Sequence, residues 1–195
     1  MEPKMDRNYI AFADSKKIAV GNVLDVAAKV KKYLMKDTKS QVLIFDTSNS
    51  AQIEIDFRGS PENVLHRLET LHDQTDDPAK KVGPGRPKLG VTAKEVTLLP
   101  EHWEWLARQP GGASVTLRKL VDEAKKKNHS KDLLRQAQEA AYKFMTVMAG
   151  DLPQYEEALR ALYAGEAKKF EKMISVWPKD IQEHSLHLAK TALTK

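Results

Sequence analysis

The sequence predicts an α+β protein: a small N-terminal ββαββα unit, a central strand-helix-helix segment and a C-terminal helical bundle. Three observations predict it. Before residue 73, alternating or continuous apolar runs are interleaved with stretches of helical spacing. A Gly/Pro-rich interruption follows at Gly83-Pro84-Gly85-Arg86-Pro87-Lys88, which excludes both helix and central strand. Beyond residue 129 the apolar positions keep only helical spacing.

Tyr9-Ile10-Ala11-Phe12-Ala13 and Lys17-Ile18-Ala19-Val20 read as two short strands around the polar turn Asp14-Ser15-Lys16. Asn22 caps a helix whose apolar face is Val23, Val26, Ala27, Val30 and Leu34. Gln41-Val42-Leu43-Ile44-Phe45-Asp46, apolar from Val42 to Phe45, has the pattern of a buried strand. Residues 52–57 alternate strictly, as a strand with one wet face does. Ser60-Pro61-Glu62 starts a second helix, with Val64, Leu65, Leu68 and Leu71 on its apolar face.

The domain reading is 1–72 for the α/β unit, 73–90 for a flexible basic linker, 91–128 for the strand-helix-helix module and 129–195 for the bundle. In the module, residues 94–99 are the strand. Pro100 starts a helix through Trp103 and Leu106, which read as core, while Trp105 faces elsewhere. Pro110-Gly111-Gly112 breaks it, and Ser114 caps a second helix carrying Val115, Leu117, Leu120, Val121 and Ala124. Breaks at residues 150–153, at Gly165 and at Trp177-Pro178 divide the remainder into about four helices.

The chain has 195 residues, no cysteine and a net charge of +5. The missing cysteines exclude disulfide scaffolds, thiolate zinc sites and cysteine nucleophiles. The start of the chain lacks the apolar core of a signal peptide, and no apolar run approaches a membrane span, so the expected location is the cytoplasm. Residues 79–128 carry +6, against −2 for residues 1–78 and +1 for residues 129–195. A basic segment between near-neutral flanks suits a polyanionic partner. A solvated face rich in lysine would give the same count.

Geometry decides for nucleic acid. A lone strand leaves half its backbone groups without partners. Two copies of a strand-helix-helix segment solve this as ribbon-helix-helix proteins do, by pairing their strands into a ribbon that enters the major groove. With Val96 and Leu98 turned inward, Thr97 is the central reader and Lys94 stands at the ribbon end. Glu95 and Leu99, on the same outward face, are poor contacts for DNA. The opposite register buries Glu95 and Thr97, which is worse. Backbone N–H groups at the start of the second helix, near Ser114, suit a phosphate, and Arg118 and Lys119 add charge one turn on. Gly85-Arg86-Pro87 is the centre of an AT-hook, whose arginine lies in a narrow A·T minor groove; Lys88 continues it, but Pro84 stands where a hook has a further arginine. A stiff linker is the plainer reading of that tripeptide. The strand joining the N-terminal sheet, with its two helices merely packing there, is the plainer reading of the module.

Catalytic signatures are missing. Phosphate-loop and nucleophile motifs are absent, Asp76 and Asp77 lie in the linker, and Glu156 and Glu157 diverge on a helix. His184 and His187 are three apart on a helix but have no evident third metal ligand, so no metal and no cofactor is expected.

The whole chain resembles the bacterial domain-of-unknown-function family 2239. The likeness is carried by residues 85–90, 95–100, 102–106 and 109–114, with Val42-Leu43-Ile44-Phe45-Asp46, Ala141-Tyr142-Lys143-Phe144-Met145 and Trp177-Pro178. It implies a bacterial source and a shared architecture, and no activity. The expectation is therefore a non-enzymatic homodimer on double-stranded DNA, A·T-rich by the hook, nucleoid-associated, with flanking regions free to take a ligand or partner. The alternative is a protein-interaction adaptor without nucleic-acid binding, and an enzyme with an unrecognised site is a third.

Overall fold

A computed structural model describes residues 7–75 and 94–194. It is α+β: among the described residues there is a four-stranded antiparallel sheet near the N-terminus and seven helices, five of them from Pro100 onward. Two compact units divide the chain. One joins Met1–Asp77 to Leu133–Lys195, and the other is Pro78–Asp132.

In the first unit the predicted ββαββα order is present: β1 (Asn8–Ala13), β2 (Lys16–Asn22), α1 (Val23–Leu34), β3 (Val42–Asp46), β4 (Gln52–Ile53) and α2 (Pro61–Thr75). Asn22 caps α1 as expected, its side-chain oxygen accepting the Asp25 N–H at 2.9 Å. Ser60 Oγ accepts the Asn63 N–H at 3.3 Å and Pro61 occupies the first helical position. The strand order is β2-β1-β3-β4, so β1 and β3 are central.

β4 is shorter than the alternation at residues 52–57 predicts; only Gln52 and Ile53 pair with β3. The inward positions Ile53, Ile55 and Phe57 do keep their burial alternation. Beyond Ile53 the chain is turned away by polar contacts. Asp56 accepts from the Arg58 backbone and guanidinium at 2.9–3.0 Å, and Arg67 donates to the carbonyls of Asp56 and Arg58. Alternation reports which side chains are covered, and hydrogen-bond partners decide pairing.

The continuous apolar runs in β1 and β3 have a physical consequence: both faces of the central strands need covering. On one face Tyr9, Ala11 and Ile44 meet Val23, Val26, Val30, Val64 and Leu68 from α1 and α2. On the other, Ile10, Phe12 and Phe45 meet helices from the far end of the chain. Those are the last part of α4 (Gly112–Ala149), α5 (Tyr155–Ala164), α6 (Ala167–Ile174) and α7 (Lys179–Leu193). Phe144 sits at the centre, with its ring centroid 5.3 Å from both Phe12 and Phe45. The sequence reading separates residues 1–72 from 129–195, whereas here they share a core. The second apolar face of the sheet is the reason. The helix breaks fall where the glycines and prolines predict; Gly165, at φ +70°, ends α5, and Trp177 Nε1 donates to the Pro153 carbonyl at 2.8 Å.

The second unit holds α3 (Pro100–Ala107) and the first part of α4. The boundary expected at residue 128 is not a helix end, because no glycine or proline interrupts residues 113–149 and α4 runs through as one helix of 38 residues. No helix among the described residues is long and apolar enough to cross a membrane.

Candidate nucleic-acid interface

The expected strand at residues 94–99 is extended at its end, with Leu99 at φ −64° and ψ 151°, and no strand is formed among these residues. Among the described residues no strand pairs with them, and the four-stranded sheet β2-β1-β3-β4 includes none of them. Lys94 and Thr97 are exposed, as are Val96 and Leu99. Leu98 is turned towards the helices. It lines a groove of about 270 Å³ with His102, Trp105, Leu106, Leu117 and Leu120. Only Leu98 of the two residues expected to face inward is partly covered; Val96 is 57% exposed, so no alternating register is formed here.

Pro100 begins α3 without a side-chain cap, and the Leu99 carbonyl accepts the N–H groups of His102 and Trp103. Leu106 is the one fully buried side chain of this helix, at 2% exposure. Trp103, expected in the core, is 43% exposed, and Trp105, expected to face elsewhere, lines the groove beside Leu106. An eight-residue helix packed along one line cannot cover both tryptophans.

Ser114 is not the cap of the second helix. α4 already begins at Gly112, and Gly111 and Gly112 take positive φ of +87° and +71° to turn the chain into it. A Cβ on Gly111 would meet the Val115 side chain at 3.1 Å, so this turn requires glycine. Ser114 lies in the first turn instead. Its carbonyl accepts Arg118 Nε at 3.0 Å and its hydroxyl contacts Arg118 Nη2 at 3.4 Å. The two glycines displace the cap because they permit a backbone path that serine would strain.

Of the seven residues predicted to meet DNA, Lys94, Thr97, Ser114, Arg118 and Lys119 belong to this unit and are all exposed. Ser114 and Arg118 are brought into contact. Arg86 and Lys88 lie outside the described residues. The sequence reading missed the groove. Its signal was present in Leu117 and Leu120, three apart on one helix, and in Trp105 and Leu106 on the preceding one. The histidine pair set aside as a metal site lies in the other unit. Its rings stack at 6.1 Å with 17° between planes, and His184 is buried while His187 is exposed.

No curated protein matches the chain, and no solved structure does. One family does, over residues 8–189, which takes in the sheet, the strand-helix-helix segment and nearly all of the C-terminal helices. The chain belongs to that family, described as uncharacterized proteins conserved in bacteria, domain of unknown function 2239.

Proposed function

We propose that this protein binds double-stranded DNA as a homodimer, as a transcriptional regulator or architectural factor, through a ribbon made of residues 94–99 from two copies. One observation carries the reading. Residues 94–99, extended at Leu99 and outside any strand, precede two helices whose apolar side chains are left open, with Val96 57% exposed and Leu99, Trp105, Leu120 and Val121 also uncovered. A second copy would offer this segment a strand partner and the groove a cover. The outward face of such a ribbon carries Thr97, and the chain before it carries the basic Gly85-Arg86-Pro87-Lys88. Arg118 and Lys119, one turn beyond Ser114 on α4, would meet phosphates.

The test is a mobility shift on A·T-rich and random duplexes across a salt series, with molar mass measured in parallel. The expected result is a dimer whose affinity falls steeply with salt, by a log-log slope of about −0.9 for each phosphate neutralised. Arg86→Ala should weaken binding to A·T-rich duplex more than to G·C-rich duplex. A folded sample that shifts no duplex at low salt overturns the proposal.

The same exposed apolar surface favours a second reading, a protein-interaction adaptor whose groove takes a different protein. A monomer at micromolar concentration that leaves DNA unbound would select it.

A further inference from the structure

The two ends of the four-stranded sheet are finished differently. At the β2 edge, Lys16 and Lys17 stand beside a bulge in the pairing with β1, and the Lys17 N–H is taken by the Asp180 carboxylate at 2.8 Å. Charge, a bulge and an occupied donor all discourage a further strand. At the other end the ladder stops early. Ile44 pairs with Ile53 and Phe45 with Gln52, but Val42 and Leu43 have partners only in β1.

The backbone direction at Val42 follows from the register. The Asp46 N–H bonds to the Ala51 carbonyl, on the β4 side. Residues two apart in a strand turn their backbone groups to the same side, so the N–H and C=O of Val42 point that way too. Ile55 would stand opposite if the ladder continued, yet neither Val42 group has a hydrogen-bond partner among the described residues. The chain beyond Ile53 is held elsewhere, with the Phe57 carbonyl accepting from Lys31 Nζ at 2.9 Å and Asp56 engaged by Arg58.

The divergence leaves a cleft of about 490 Å³, walled by Val42 and Ile44 of β3, by Ile53, Ile55 and Phe57, and by Leu34 of α1. That lies within the roughly 300–1,000 Å³ of ligand sites. Val42, Ile44, Ile53 and Ile55 belong to the α1 face of the sheet with Leu34, and Glu54 to the opposite face. Glu54 is the one charged residue in the lining, is exposed, and has no cation within ion-pair distance among the described residues.

We propose that this cleft takes an extended peptide segment of a partner protein, added as a strand to the free end of β3, with a basic side chain set against Glu54. The N–H and C=O of Val42 require a partner that offers both an acceptor and a donor, which a peptide has and an aliphatic chain lacks. The peptide residue opposite Val42 turns its side chain to the α1 face, so apolar residues meet Leu34 and Ile55 and the residue between them meets Glu54. A lipid carboxylate is disfavoured by the same Glu54. Every residue of the cleft lies in the unit that joins Met1–Asp77 to Leu133–Lys195, so the inference goes beyond the proposed DNA interface.

The test titrates the full chain with the blocked peptide acetyl-Thr-Val-Lys-Val-Thr-amide and follows the Val42 and Ile55 backbone amides by NMR. Saturable shifts at both, with slowed hydrogen exchange at Val42, are expected. N-methylation of the two peptide valines removes the donors that face Val42 and should weaken binding by about tenfold or more. Glu54→Gln, at an exposed position, should weaken the lysine peptide by about two- to fivefold and leave the same peptide with glutamine for lysine unaffected. Decanoate should give no saturable shift. Peptide shifts that stay linear, equal binding of the methylated peptide, an unchanged affinity in Glu54→Gln, or decanoate binding as tightly as the peptide would each overturn the proposal. None of these results bears on DNA binding.

Discussion

The two compact units spend their apolar residues differently. In the unit built from both ends of the chain, the central strands are covered on both faces, and Phe12, Phe45, Phe144, Leu162 and Phe170 are fully buried. In the unit at Pro78–Asp132, Leu106 is buried, whereas Val96, Leu99, Trp103, Trp105, Leu120 and Val121 are all exposed large apolar residues. A covered core contributes to the stability of the chain that holds it. An open apolar surface contributes only when something else covers it. The first unit therefore holds nearly all of the buried core among the described residues, although Met35, Tyr163 and Val176 are exposed there too, and the proposed association would draw on the second.

The sharpest way to break this contrast is a matched pair of truncations. Phe144→Ala removes the ring that touches both Phe12 and Phe45, and should cost about 3–5 kcal/mol of unfolding free energy. Leu106→Ala removes an equally buried side chain beside an open groove. Neighbours can close into that space, so the cost should be about 2 kcal/mol, near the low end for such a change. Chemical denaturation with amide hydrogen exchange mapped along the chain measures both. Equal costs, or exchange that rises uniformly over residues 94–132 in Phe144→Ala, would dissolve the distinction.

The next largest effect belongs to pH. In the unfolded chain His184 takes up a proton near 6.5, but in the folded unit burial first, then the charges of His187 and Lys17, delay this until about 4. Between those values the unfolded state binds more protons, so stability falls as pH drops from 6.5 and levels off below about 4. The total is on the order of 3 kcal/mol. His184→Phe keeps an aromatic ring against Phe144 and removes the titration, so this component of the acid slope should vanish. Thermal melts of both proteins across this range are the measurement, and identical slopes would mean that His184 reaches solvent.

Much of the first unit was legible because its signals are local. Asn22 and Ser60-Pro61 are helix starts by chemistry alone, and the period of Val23, Val26, Ala27 and Val30 fixes a buried helical face. The continuous run at β3 announces two covered faces, but nothing local says what covers the second one. That the cover is Phe144, about a hundred positions away in the chain, is a long-range fact. At the candidate site, Thr97, Arg118 and Lys119 were legible as exposed polar positions flanking a strand-helix-helix pattern. The groove was not, because the turn at Gly111-Gly112 sets how α3 meets α4, and its φ values cannot be read from a Pro-Gly-Gly triplet. Ser114 was misread for the same reason. Serine is a frequent cap, but here glycines upstream had already started the helix.

The smallest expected effect tests that last point and returns to the contrast between the units. Asn22 and Ser114 are both favoured cap residues near a helix start, yet only Asn22 accepts a hydrogen bond from a first-turn N–H. Asn22→Ala should therefore cost about 1 kcal/mol, a true cap being lost from α1. Ser114→Ala removes only an exposed hydroxyl 3.4 Å from an arginine nitrogen, and should change stability by less than about 0.5 kcal/mol. Under the proposed DNA binding, affinity should also hold if the phosphate is met by the N–H groups of α4 and by Arg118 and Lys119, rather than by the hydroxyl. Denaturant midpoints for the two variants, with a mobility shift on Ser114→Ala, decide it. A Ser114→Ala loss as large as that of Asn22→Ala would restore Ser114 as the cap and move the start of α4 from Gly112 to Val115.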